Sequence, residues 1–396
     1  MAPGTLVLFL FVFEAIFVAT FVLTLPRTLG QFVSVVLLTV MTFCLQQAFS
    51  SWCQNGSIKA LALPFLFMQL GSALDLLFLS HASPKDLRHA HRDGTDRLLS
   101  WSAVGQIRKA LVLLWNWRRI GTKWEVKTIP WSPINAKAAP SRGEFLRGRL
   151  LTFLVAYLLM DLITFMPPPD AQLITVQKQA LFSRLSELSP EELISRVMLT
   201  CATGFSAFVQ ITLLHSAVSF AAVAIGLGKP AEYPPMFGSF LESYTLRRFW
   251  GITWQQTLRR STTQAGHFTS QLLQLQFGTT LYSLVLLVTA FQVSAVIHIF
   301  TDVGLGVLAS ERGAYWFFTI QPFGIIFETA AKAIYHRHLP LKLNPVAESV
   351  LGYTWVLAFL TWSAPTWAYP IMRQVGKGDR DPMVPLSVIQ WILSRS

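Results

Sequence analysis

A chain of 396 residues could hold two or three soluble domains of about 150 residues each, but its composition excludes that reading. Apolar residues make up 53% of it and Asp, Glu, Lys and Arg together only 13%, about half the charged share of a soluble domain. The mean hydropathy is +0.47. Thirty-two Lys and Arg against 20 Asp and Glu leave a net charge of +12. The cations lie between apolar runs, so they mark cytoplasmic loops and not a nucleic-acid surface.

A spanning helix takes about 20 mainly apolar residues. In chain order such runs fall at roughly 5–25, 31–50, 58–79, 148–166, 197–227, 276–300, 313–335 and 350–371, which predicts an all-α polytopic protein of about eight transmembrane helices. The first run lacks a basic leader and is too long for a signal peptide, so it is expected to be a retained span. Pro26 and Arg27 close it. A long basic connector follows the third run, over 80–147, and its 101–119 stretch is expected to form an amphipathic helix lying in the membrane interface. Pro167, Pro168 and Pro169 end the fourth run, since proline cannot continue the helical ladder. Residues 228–272 form a second connector. The whole of 1–396 is expected to be a single integral-membrane domain.

Charge sets the expected orientation. Segments 26–30, 80–150, 228–268 and 332–349 hold 23 of the 32 Lys and Arg, whereas 170–196 sets Asp170, Glu187, Glu191 and Glu192 against Lys178, Arg184 and Arg196. Both connectors are therefore expected in the cytoplasm, with 170–192 and the N-terminus in the lumen. In intact microsomes, whose cytoplasmic face is outward, Thr95→Cys should be labelled by an impermeant thiol reagent and Ser186→Cys protected. The opposite pattern would reverse the topology.

Ionisable groups inside spans are costly and each is a functional candidate: Glu14, Asp75, Asp161, His215, His298, Asp302 and Glu328. Asp75 and Asp161 are expected to hydrogen-bond across helix interfaces, while Glu14 and Glu328 are candidates to line a cavity. His298 has Ser294 and Asp302 four residues to either side, on one helix face, where a carboxylate can fix the tautomer of a working imidazole. His81, His89 and His91 lack a Cys or acidic residue at metal-ligand spacing and are expected in a solvated loop. Cys44, Cys53 and Cys201 show neither a CxxC spacing nor a disulfide framework. The second connector interleaves Arg247, Arg248, Arg259 and Arg260 with Phe249, Trp250 and Trp254. That pattern suits interfacial anchors or a site for an anionic headgroup or phosphorylated cofactor.

This connector resembles the signature of the wax-synthase-like acyltransferases, relatives of the membrane-bound O-acyltransferases. Their approximate pattern, P-x-F-G-S followed by S/A-Y-T-x-R-R-F-W-G-x-x-W-H-Q, stands here as Pro235 to Ser239 and then Ser243 to Gln256. The run from Asn116 to Pro130 is similar to N-x-R-G-I-G-T-x-W-E-V-K-N-x-P of the branch of fungal secondary-metabolite O-acetyltransferases, and Gly352 to Trp362 and Trp367 to Pro370 resemble its final span. Three positions depart: Arg119 replaces a glycine, Thr128 an asparagine, and Gln255 the first histidine. The second histidine of the family matches His298.

The resemblance implies a membrane-bound O-acyltransferase bundle that uses acyl-CoA, most simply acetyl-CoA, as co-substrate, with no metal and no bound cofactor. The acceptor would be a lipophilic alcohol such as a terpenoid or meroterpenoid, and the location the endoplasmic reticulum. His298 would be the general base, Asp302 its orienting carboxylate, and Gln255 or Trp254 the oxyanion donor. Arg247, Arg248, Arg259 and Arg260 would meet the CoA phosphates. A long-chain wax-ester synthase is the alternative enzyme, distinguished by tunnel length. A transporter is the rival from another class, against which stands the lack of an inverted repeat. An inactive binding protein is the reading that Gln255 motivates.

Overall fold

The computed structural model describes residues 3–22, 29–83, 103–130, 139–338, 343–375 and 384–395. His89, His91 and Thr95 lie outside these residues. Every extended element among the described residues is helical. Six helices there are long and apolar enough to cross a membrane: α1 (Pro3–Val22), α2 (Leu29–Trp52), α3 (Gly56–Leu74, with a π-turn over Asp75–Leu79), α5 (Arg142–Phe165), α6 (Pro190–Ala224) and α9 (Thr280–Gly304). They match the first six predicted runs. The last two predicted runs are helical as well, as α10 (Ala314–His338), α11 (Pro345–Ser363) and α12 (Pro365–Val375). Gln321, Glu328 and Lys332 make α10 more polar than a simple span. Pro365 breaks the eighth predicted run in two.

The helices divide between two compact units. The first comprises residues 1–54, 62–127 and 257–304. Phe13, Phe17 and Phe21 of α1 recur at four-residue spacing and pack with Leu38 and Leu45 of α2 and with Leu76 and Leu114 in its core. In lipid such packing rests on close van der Waals contact and interhelical hydrogen bonds more than on loss of water. Thr20 Oγ1 accordingly donates to Ser34 Oγ at 2.8 Å. The predicted interfacial helix is present as α4 (Ala103–Trp115), which buries Ala110, Leu113 and Leu114. A polar helix, α8 (Arg259–Leu272), lies along α9. Gly266 makes that approach possible, because a Cβ there would stand 2.8 Å from the Leu286 carbonyl oxygen.

The second unit comprises residues 55–61, 128–256 and 305–396. α5 opens with a capping box between Ser141 and Glu144, and α6 with Ser189 accepting the Glu192 amide ahead of Pro190. At 35 residues, α6 is about 52 Å long and must extend beyond the ~30 Å hydrocarbon layer. The 170–188 segment before it forms short 3₁₀ turns, held by arginines. Arg196 of α6, fully buried, donates to the carbonyl oxygens of Lys178 and Gln179 at 2.5 and 3.3 Å, and Arg373 of α12 donates to the Ile174 carbonyl at 2.5 Å while pairing with Glu311 at 2.8 Å.

Candidate active site

His298 lies six residues before the end of α9, or about 9 Å from it. Its half-buried imidazole is 2.7 Å from the main-chain oxygen of Ser294 through Nδ1. A carbonyl only accepts, so Nδ1 carries the proton and, in the neutral ring, Nε2 holds the lone pair. The tautomer is thus fixed by the Ser294 backbone, while Ser294 Oγ turns back to the Ala290 carbonyl at 3.2 Å. Asp302, one turn further, is fully buried. The surrounding helix is firmly placed. Gln46 Nε2 donates to the Phe300 carbonyl at 2.7 Å, and the Phe300 ring stacks on Phe67 with centroids 4.8 Å apart.

A second polar centre of the same unit gathers at Asp75, which opens the π-turn. The Asp75 carboxylate accepts from Arg119 Nε and Nη2 at 3.2 and 2.9 Å, from Arg260 Nε at 3.2 Å and from Ser80 Oγ at 2.6 Å. Arg119 spends its remaining donors on Ser72 and on the carbonyls of Leu113 and Asn116. Burial pulls the Arg119 guanidinium below its ordinary pKa, while Asp75 pushes the other way; an arginine stays charged regardless. The expectation of a helix-bridging role for Asp75 holds. So does that for Asp161, whose Oδ2 accepts the Ile389 amide at 3.0 Å. Glu14 accepts the Trp115 indole at 2.8 Å.

In the second unit, the signature segment forms a single helical turn, α7 (Leu246–Arg248), followed by a π-turn over Phe249–Thr253, closed by the Trp254 amide donating to the Phe249 carbonyl at 2.7 Å. Such π-turns are frequent at functional sites. Trp254 packs edge-on against Phe237 and stacks on Phe249, with centroids 5.5 and 5.6 Å apart. The two halves of the signature are strapped together. The Gly238 amide donates to the Thr253 carbonyl at 3.0 Å, and a Cβ at Gly238 would stand 2.3 Å from the Ile252 carbonyl oxygen, so only glycine fits. Gln255 is half-buried. Gln256 is buried and donates to the Ile252 carbonyl and to Thr128 Oγ1 at 3.2 and 3.3 Å.

The four candidate phosphate-binding arginines are not equivalent. Arg248 pairs with Glu242 and its guanidinium lies 4.7 Å from the centre of the Tyr244 ring. Arg260 is engaged with Asp75. Arg259 donates to the Lys127 carbonyl at 3.3 Å. Arg247 is exposed. The structure thus brings Trp254, Gln255, Arg247 and Arg248 together on one segment of the second unit, and places His298, Asp302, Arg259 and Arg260 in the first.

Residues 233–320 match the model of the membrane bound O-acyl transferase family. The chain is also 29% identical over 288 residues to acetyltransferase aurG of Calcarisporium arbuscula, covering 71% of this chain and 68% of that protein. Acetyltransferase ataH of Aspergillus terreus is 30% identical over 291 residues, which are 70% of this chain and 93% of the relative. The chain belongs to the membrane-bound O-acyltransferase family. It is an enzyme of the membrane, an O-acyltransferase, and a third relative, acetyltransferase fsoF of Humicola fuscoatra, is 29% identical over 67% of the chain and 66% of its own length.

Two departures from the family pattern fall where the backbone favours the family's own residues. Arg119 and Thr128 have φ of +54° and +71°, in the left-handed region that glycine and asparagine tolerate best. A β-branched residue there is an outlier. Thr128→Asn is therefore expected to raise the unfolding temperature of the purified protein, by relieving strain worth about 1 kcal/mol while keeping a side-chain acceptor for Gln256. An unchanged or lower unfolding temperature would contradict it. Sequence reasoning missed the Arg119–Asp75–Arg260 centre, although Asp75 was flagged. It also missed the hydrogen bonds that Gln321 and Glu328 accept from the Trp250 indole and the Leu246 amide, since nothing in one sequence pairs residues so far apart.

Proposed function

We propose that this acyltransferase moves an acetyl group from acetyl-CoA to a hydroxyl of a lipophilic secondary metabolite, such as a terpenoid or meroterpenoid, at the endoplasmic reticulum membrane. The observation that carries the reading is the extended similarity to aurG, ataH and fsoF, each named an acetyltransferase. His298 supports it with a neutral Nε2 able to act as base. That nitrogen takes the proton of the acceptor hydroxyl, and the oxygen attacks the thioester carbonyl. Collapse of the tetrahedral intermediate breaks the C–S bond, and the imidazolium returns its proton to the leaving CoA thiolate. The Gln255 amide or the Trp254 indole donates to the developing oxyanion, and Arg247, exposed, meets a CoA phosphate. An apolar crevice of about 360 Å³ between α5 and α6 is backed by Phe208, which lies edge-on to Phe237 with centroids 4.7 Å apart; Phe237 in turn packs on Trp254. That apolar wall suits a lipophilic acceptor.

The test is release of free CoA by purified protein given acetyl-CoA or long-chain acyl-CoAs with a panel of terpenoid and fatty alcohols. Acetyl-CoA with a terpenoid alcohol should give the highest kcat/KM. Preference for a long-chain donor would instead identify a wax-ester synthase, and no transfer to any alcohol would sink the acetylation reading.

A further inference from the structure

The signature segment is too short to hold its own shape. A three-residue helical turn and a five-residue π-turn lie far below the ~12 residues at which an isolated helix becomes marginally stable. Its position must come from what it packs against, and that is α10. Gln321, Gly324 and Glu328 stand at three- and four-residue intervals, one face of α10. Glu328 Oε2 accepts the Leu246 amide at 2.7 Å and the Trp355 indole at 3.2 Å. Gln321 Oε1 accepts the Trp250 indole at 3.0 Å, while its Nε2 is held by the Phe317 carbonyl at 2.9 Å and faces Ser363 Oγ at 3.4 Å. Between them Gly324 lets Leu246 and Phe359 reach the helix backbone: a Cβ there would stand 2.8 Å from Leu246 Cδ1 and 2.5 Å from Phe359 Cζ. Both ends of the 246–250 stretch are thus pinned to one rigid face, and Trp254 and Gln255 follow directly after.

We propose that Gln321 and Glu328 are positioning residues of the acyltransferase: they touch neither substrate but set where Trp254 and Gln255 stand. The inference rests on the reading of Trp254 and Gln255 as part of the active site. Glu328 in this role is a hydrogen-bond acceptor, not an acid or base, and Gln321 acts through the Trp250 indole.

The experiment measures kcat and both KM values per mole of folded, monodisperse enzyme, with unfolding temperatures alongside. Trp250→Phe and Gln321→Leu should each lower kcat about 10- to 100-fold with both KM values little changed, because a shift of about 1 Å can cost that much. The double variant should be no worse than the weaker single, since both remove one hydrogen bond. Glu328→Gln, which still accepts from the Leu246 amide, should stay within about threefold of wild type, and Glu328→Ala should fall at least about tenfold. Unchanged kcat per folded molecule, with lower stability only, would overturn the positioning role, as would additive losses in the double variant. Gln255→Ala and Trp254→Phe separate the two levels. If either is impaired while the α10 variants are fully active, only the positioning role falls; if both keep full kcat, the active-site reading and the positioning role fall together.

Discussion

His298→Ala is expected to lower acyl transfer by at least about 10²-fold, the usual contribution of a general base, with little effect on folding. The second half of that expectation follows from the local geometry. The imidazole bonds to a carbonyl of its own helix, Ser294, and α9 is anchored nearby by Gln46 and by the Phe300–Phe67 stack, neither of which depends on the ring. Loss of the side chain therefore removes the lone pair on Nε2 and leaves both anchors of α9 in place. His298→Asn and His298→Gln should be equally impaired, because an amide does not exchange protons near neutral pH. The measurement is free-CoA release at saturating acetyl-CoA and acceptor, normalised to monodisperse enzyme. Near wild-type turnover in His298→Ala would show that another group is the base, and His215 on α6 would then be examined first.

Much of this architecture was legible because lipid imposes a simple rule: a span must be a helix, and its length is set by the bilayer. Runs of apolar residues therefore located the first six helices to within a few residues at most ends. The break at Ala364–Pro365 was overlooked because hydropathy runs on through it, although proline itself was the signal. The π-turns at Asp75 and Phe249 have no hydropathy signature at all. At the candidate site, residue types were readable and partners were not. Glu328 reads in the sequence as a costly charge in an apolar run, but its partners, the amide of Leu246 and the indole of Trp355, lie 82 and 27 residues away. Ser294 was read as a hydroxyl on the His298 face, yet it is the Ser294 carbonyl that holds the ring. Arg119 stands where the fungal branch carries a glycine. It is 1% exposed and is the hub of a buried cluster, a role invisible until Asp75 and Arg260 are placed beside it.

That cluster leads to the largest expected effect on stability. Asp75 is fully buried and serves two arginines, Arg119 at 1% and Arg260 at 13% side-chain exposure. Breaking a buried ion pair by removing one partner costs about 3–5 kcal/mol, because the charge left behind has neither water nor counter-charge. Asp75→Ala strands two cations close together and should lie at or beyond the upper end of that range. Arg119→Ala leaves the Asp75–Arg260 pair intact and should cost less, although Ser72 and the carbonyls of Leu113 and Asn116 lose their donors. Arg119→Gly should be milder again, since glycine also relieves the left-handed φ by about 1 kcal/mol. Asp75→Ala combined with Arg119→Gly removes one cation with the carboxylate and should recover part of the loss of Asp75→Ala alone. Thermal unfolding in one detergent, read by tryptophan fluorescence and by size-exclusion retention, gives the order directly. If Asp75→Ala unfolds no earlier than Arg119→Gly, the two arginines do not depend on this carboxylate, and the charge at the start of α8 must be compensated elsewhere.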